Sequence, residues 1–307
     1  MNKVKADRKN KIKMNTPGER VFDVFNAILM VFLIFITLYP LYYVIMASVS
    51  DPRFLLAHEG PLLGWLGEFT TEGYRLAMNN PNIVSGFANT MINLAIGTAL
   101  NMVLSIFAAF VLTRKHFLPR NAMMKMMTFT MFFNGGLIPL FFIVKGSGIY
   151  NTRWADFVPY LISTYNVIIM RSFFVSLPPS LEEAARIDGA NDWQVLMNVV
   201  MPLSKPVLAV IFLYYAVGHW NSWFPSMVFI RDTKLYTLQY VLRGILIANN
   251  TSVSSGGDGL LSVTEISLSA ELVKYCTIVV STVPIMLVYP FLTKYFEKGV
   301  MIGAIKG

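Results

Sequence analysis

The sequence predicts an all-α membrane protein with six transmembrane helices and both termini in the cytoplasm. Three observations lead there. First, apolar residues gather into six runs at about 24–46, 87–112, 126–144, 157–174, 207–229 and 272–293, each near the roughly 20 residues a helix needs to cross a bilayer. Second, 55% of the 307 residues are hydrophobic and 14% charged, where a soluble domain carries about 25% charged residues. Third, with six spans and the N-terminus inside, 17 of the 25 Lys and Arg fall on the inner side and 8 on the outer, the bias that cytoplasmic loops carry.

Taken in order, 1–20 is a basic tail with no apolar period, suited to lying on anionic lipid. The apolar run that follows exceeds the roughly 7–15 residues of a cleavable signal core, so it reads as a retained first span. Segment 21–86 holds that span and an outer loop, acidic through Glu59, Glu68 and Glu72 and broken by Pro52, Pro61 and Pro81. The second span is rich in small residues, Ala88, Ala95, Gly97, Ala99, Ser105, Ala108 and Ala109, which permit close helix packing. A basic hinge, Arg114 to Lys125, leads to the third span. There Asn134-Gly135-Gly136 before Pro139 either opens the helix toward a cavity or, the preferred reading, marks a packed Pro kink. The fourth and fifth spans flank a polar stretch, 177–206. A long outer segment, 230–270, includes a flexible Ser254 to Gly259 stretch and precedes the sixth span. The tail 294–307 is cytoplasmic, and 87–293 forms the core.

The polar stretch 177–206 organises the rest. Pro178 and Pro179 stop the preceding helix. Ser180 with Glu183 has the spacing of a capping box, opening a helix from Leu181 to Asp188. Gly189 supplies the positive φ that ends it. Asn191 with Gln194 repeats the cap pattern for a helix from Asp192 to Val200, which Pro202 closes. A rigid helix–bend–helix held between two spans on the cytoplasmic side is shaped to dock a soluble partner.

These residues carry a resemblance. Glu183-Ala184-Ala185, three residues, Gly189, nine residues, Val199, one residue and Met201-Pro202 resembles the EAA loop of ABC importer permeases. Phe174 to Ala190 is similar to the sugar-permease branch. So are Asn89-Thr90 with 108–114, Ile138-Pro139-Leu140 with 148–152, and 295–307. Val199 and Met201 stand where the motif has Ile and Leu, keeping its apolar character. The resemblance covers most of the chain and implies the type I importer fold, with Glu182, Glu183, Ala184, Ala185, Asp188, Gly189, Ala190 and Pro202 in the ATPase-coupling loop. It implies two ATPase subunits that carry ATP and Mg, a second permease, and an extracytoplasmic binding protein meeting the 230–270 segment. Sequence asymmetry favours a distinct homologue as that second permease. Docking to the ATPase is the preferred role for Glu183, with helix capping the plainer role that can coexist with it, and a local ion pair or cap is the plainer role for Arg186 or Asp188.

Catalytic chemistry has no visible support. There is no Gly-Lys pair and so no phosphate-binding P-loop, and His58, His116 and His219 are far apart in sequence. The chain is therefore read as no enzyme, with no cofactor of its own. The lone Cys276 allows no intrachain disulfide. A net charge of +8 and pI near 9.5 would suit nucleic acid in a soluble chain. Here the excess sits in loops and sets orientation, so the partner is membrane lipid and not nucleic acid.

The fifth span offers Tyr215, His219, Trp220, Asn221 and Trp223, and the third offers Asn134, as a substrate pathway. Tyr215, His219 and Ser222 fall on one face at helical spacing, with Trp223 one turn beyond His219. Aromatic rings suit the C–H faces of sugars, and amide and indole groups suit their hydroxyls. An interfacial aromatic belt would place Trp and Tyr similarly. The reading is a bacterial cell-membrane permease that moves a carbohydrate, an oligosaccharide by preference, inward by alternating access. A permease for another solute would show more intramembrane charge. An ion-gradient transporter would show inverted repeats and leave the capped helices unexplained. An intramembrane enzyme would need paired catalytic groups.

Overall fold

In the computed structural model, which describes residues 17–252 and 271–287, every regular element is helical. Helix α1 (Pro17–Ser48) exposes its apolar side chains along almost its whole length and buries only Ala47 and Ser48. Its end is pinned by the outer loop. Tyr39 Oη accepts from Leu62 N at 2.7 Å, and Tyr42 Oη donates to Leu63 O at 2.6 Å. That loop, read as irregular with room for short helices, contains two, α2 (Pro52–Ala57) and α3 (Glu72–Asn79). Asp51 caps α2, with Pro52 at its first position, where a missing N–H costs nothing.

Helix α4 (Pro81–Val111) is the axis of the molecule, capped by Asn80. Its small residues work as expected. A Cβ at Gly97 would come within 2.6 Å of the His219 ring, and one at Gly86 within 3.2 Å of the Leu238 backbone.

The third span is a correction: it is not one kinked helix. α5 (Arg120–Phe132) and α6 (Leu137–Gly146) meet at 119°. Gly136 takes φ 85°, and Asn134 Oδ1 accepts from Gly136 N at 2.9 Å, which closes the bend. Pro139 falls in the first turn of α6, where its nitrogen needs no acceptor, so it starts a helix instead of kinking one. The fourth span also breaks. Two 3-10 turns, Arg153–Asp156 and Val158–Tyr160, precede α7 (Thr164–Ser176) at 50°, and Ser163 caps α7.

After α8 (Pro179–Ile187), α9 (Asp192–Val195) runs through a π turn (Leu196–Val200) into α10 (Met201–Leu203). The chain turns 84° at Ser204 into α11 (Lys205–Trp220). The fifth span does not continue past Trp220: residues 221–223 are non-helical and α12 (Phe224–Phe229) follows. The 230–270 segment, expected as a long outer stretch that meets an external partner, begins folded. A 3-10 turn (Thr233–Leu235) leads into α13 (Leu238–Ser252), which packs on α4 through the buried Leu238. Helix α14 occupies 271–287. The Ser254 to Gly259 stretch, the basic residues before 17 and the C-terminal tail lie outside the described residues.

By length and composition α1 and α4 could each cross a membrane, and the three bent pairs raise the number of candidate spans to five among the described residues. The main apolar core joins α4, α7, the π turn and α11 around Ala109, Met170, Val195, Val200 and Ile211.

Candidate functional site: an elbow and a cavity joined by one helix

The elbow starts where α7 ends. Leu177 and Pro178 are extended, and Pro179 opens α8. Ser180 does not cap the helix: Pro178 holds the cap position with no side-chain bond, and the expected Ser180–Glu183 box is absent. A helix that begins at a Pro has one donor fewer to satisfy, so the box is not needed. Glu183 is left exposed and makes no hydrogen bond or ion pair among the described residues. Glu182 instead faces inward. Arg114 Nη1 and Nη2 donate to its two oxygens at 2.6 and 2.9 Å.

Helix α8 ends in a Schellman motif. Ala190 N donates to Ala185 O at 2.9 Å and Gly189 N to Arg186 O at 3.0 Å, with Gly189 at φ 85°. Asp188 is the C-cap of α8, and its backbone N donates to Ala184 O. Ala185 and Ala190 pack on the core, while Ala184 is exposed. The second box forms as expected: Asn191 Oδ1 accepts from Gln194 N, and Gln194 Oε1 accepts from Asn191 N, both at 2.9 Å. Arg186 pairs with Asp192 across the bend. Pro202 does not end the second helix. The π turn sends Met201 N to Leu196 O, five residues back, and Pro202 sits just inside α10, leaving Ser204 as the break. Two large apolar side chains that sequence reasoning passed over stand out from α8: Leu181 at 42% and Ile187 at 86% exposure. Ile187 lies one turn from Glu183 on the same face, a spacing visible in the sequence.

The second locus is a cavity of about 370 Å³ at the end of α11. Tyr215, His219, Asn221 and Trp223 line it with Asp156, Tyr160, Tyr214 and Ser222. Of the four expected residues that line it, Tyr215 and His219 are on the helix. Asn221, Ser222 and Trp223 reach the cavity because the chain breaks there. Trp220 does not line it. Its ring is 3% exposed and edge-on to Phe87, and Nε1 donates to Ser281 O at 3.0 Å, so it is a packing residue beside a larger apolar hollow. Asn134 is exposed and occupied with its own bend.

The cavity wall is wired to α4. Asn101 Nδ2 donates to Tyr160 O at 3.0 Å and Leu161 O at 2.7 Å. Its oxygen therefore faces His219 Nε2 at 2.6 Å, which places the imidazole proton on Nε2. Tyr215 Oη accepts from Ser163 N at 3.2 Å and lies 2.7 Å from Ser105 Oγ. Asp156 is buried and accepts from Asn93 Nδ2 at 2.6 Å and Ser226 Oγ at 2.9 Å. Arg153 donates to Asn93 Oδ1 at 3.1 Å and Asn89 Oδ1 at 2.8 Å, and Asn89 Nδ2 donates to Lys234 O at 2.6 Å. Sequence reasoning missed this network. Its signal was the spacing of Asn89, Asn93, Gly97 and Asn101 in steps of four, one polar stripe on an apolar helix.

Residues 101–302 match the family described as binding-protein-dependent transport system inner membrane component. The chain is 34% identical over 293 residues to Protein LplC of Bacillus subtilis (strain 168), covering 95% of this chain and 97% of that protein. It is 35% identical over 292 residues to the polygalacturonan/rhamnogalacturonan transport system permease protein YtcP of the same organism, covering 94% and 99%. It is also similar to a chain in the crystal structure of a bacterial ABC transporter involved in the import of the acidic polysaccharide alginate. There the TM-score is 0.83 at 29% identity, over 92% of this chain and 99% of that one.

Proposed function

Because this chain belongs to the binding-protein-dependent transport system inner membrane component family, we propose that it carries an oligosaccharide into a bacterial cell as one half of an ABC importer's membrane pathway. The observation that carries the reading is the elbow: a polar helix pair braced from within, with Glu183 and Ile187 turned outward and, among the described residues, the Glu183 side chain unpartnered. Glu183 meets a donor in a groove of the ATPase, Ala184 permits close approach, and Ile187 buries its apolar surface there. Closure of two ATPases, which bind ATP and Mg, moves the elbow and reopens the spans to the other side. This subunit itself hydrolyses nothing.

The chain crosses the cytoplasmic membrane six times with both termini inside, as the partition of 17 inner and 8 outer basic residues favours. Its core is 87–293. A distinct second permease completes the pathway, and a binding protein delivers the sugar at the outer segment 230–270. The cavity suits that cargo. Trp223, held under the Arg243 guanidinium at 3.8 Å, offers a ring face, and Asn221 and His219 offer polar edges. A relative named for polygalacturonan and rhamnogalacturonan, and a structure named for the acidic polysaccharide alginate, make acidic oligosaccharides the first probes, with neutral oligosaccharides beside them. The test is uptake of labelled oligomers into sealed vesicles that hold the complete complex. The expected result is accumulation that needs internal ATP and survives collapse of ion gradients. Accumulation driven by a gradient without ATP overturns the proposal.

A further inference from the structure

The elbow and the cavity are served by the same helix, and the join between elbow and helix is one charged clasp. Just past the end of α4, Arg114 is held three ways. Its guanidinium lies 4.1 Å over the Phe110 ring, Nε donates to Thr113 Oγ1 at 3.0 Å, and both terminal nitrogens engage Glu182. The paired side chains are 17% and 22% exposed, so water screens them little. A forked guanidinium–carboxylate pair resists rotation as well as separation. About two turns before Arg114, Phe107 stacks on Trp193 of α9 with centroids 5.8 Å apart, so α4 grips both helices of the elbow. Further along the same helix, from Ser105 back to Asn93, α4 holds the wall of the cavity. Ser105, Asn101 and Asn93 on α4 bond Tyr215, His219 and Asp156, all three of which line it. Helix α4 has 31 residues, about 46 Å of unbroken rod.

We propose that Arg114 and Glu182 are positioning residues of the transport cycle: their clasp makes the elbow and α4 one rigid body, so displacement of the elbow is delivered to the cavity wall. The proposal rests on the reading of the elbow as the ATPase dock. It assigns Glu182 a different task from its neighbour, with Glu183 facing the motor and Glu182 facing the spans. Without the clasp, the elbow can tilt while α4 stays, and ATP hydrolysis proceeds without reopening the cavity.

The test uses the complete transporter in liposomes, with Cys276→Ser removing the native thiol and Ser222→Cys placing one in the cavity. The readout is the rate of labelling at position 222 by a membrane-impermeant maleimide, with and without MgATP, alongside ATPase rate and co-purification of the ATPase. Unmodified Arg114 and Glu182 should give rates that differ about tenfold between the two conditions, within the range of ordinary coupling energies. Arg114→Gln should bring that ratio near one while hydrolysis and co-purification stay normal. Glu182→Gln should do the same, and the double variant should be no worse than either. Arg114→Glu with Glu182→Arg should restore at least half of the difference. A ratio unchanged in Arg114→Gln overturns the proposal. So does loss of the ATPase from that variant, which would make Arg114 part of the dock. Absence of any MgATP effect with the clasp intact overturns the pump reading beneath it.

Discussion

Gly189→Asp separates folding of the elbow from its use. In the free chain a Cβ at 189 meets nothing within 4 Å, so the new side chain fits. The cost is conformational: φ is 85° there, and an ordinary L-residue in the left-handed region loses about 1–2 kcal/mol. Asp is among the residues that tolerate that region best. The variant is therefore expected to fold and reach the membrane. Docking changes more. The carboxylate sits at the negative end of α8, beside Asp188, and in a closed groove it is a charge without a partner. An uncompensated buried charge costs about 3–5 kcal/mol, which weakens capture of the ATPase by a factor on the order of a hundred or more. The assay compares ATPase recovered with the affinity-purified permease, and uptake, for Gly189→Asp, Gly189→Asn and Gly189→Ala. Ala reports backbone strain and Asn reports side-chain volume without charge. The expected order of uptake is Gly, then Ala and Asn, then Asp last, with similar membrane levels throughout. ATPase recovered at normal yield with Gly189→Asp and unchanged uptake would refute the reasoning.

Other expectations follow from the cavity. Asn101→Leu leaves the Tyr160 and Leu161 carbonyls and the His219 N–H without their partner. At about 1–3 kcal/mol for each buried orphan group, the thermal midpoint of the purified complex should fall clearly below that of Ser105→Ala. Gly97→Val pushes atoms into the His219 ring, from which even a Cβ stands only 2.6 Å. It should destabilise by about 1–3 kcal/mol and do so less when paired with His219→Ala in a double-variant unfolding cycle. Trp220 and Trp223 should part company. Trp220→Ala empties a buried site and costs about 3–5 kcal/mol in denaturation, whereas Trp223→Ala should leave stability near normal and raise the oligosaccharide concentration needed for half-maximal uptake.

The sequence was most legible where the signal is local. The Asn191–Gln194 box and the positive φ of Gly189 depend on residues three or four apart, and both formed as read. Ser180 and Glu183 had the same spacing and did not form a box, because Pro178 and Pro179 had already set the first turn. Local patterns compete, and the stiffer residue prevails. Breaks inside the spans were harder to see. Hydropathy measures apolar content over a window, so it read 126–144 and 207–229 as continuous, while the chain bends after Phe132 and its helix is interrupted after Trp220. Four of the six residues proposed for the pathway still line the cavity, since aromatic and amide composition survives a wrong helix.

What the residue order determined by itself is the class of molecule: apolar runs, the bias of basic residues and the elbow motif each follow from chemistry along a few turns of chain. What the tertiary structure decided is which polar groups face one another. Asn89 meets Lys234, Asn93 meets Asp156, Asn101 meets His219 and Arg114 meets Glu182, each pair separated by at least 63 residues. A buried amide or guanidinium must find a partner somewhere, but nothing in its own neighbourhood says where. That assignment waits until α4 is packed among the helices that hold the other halves.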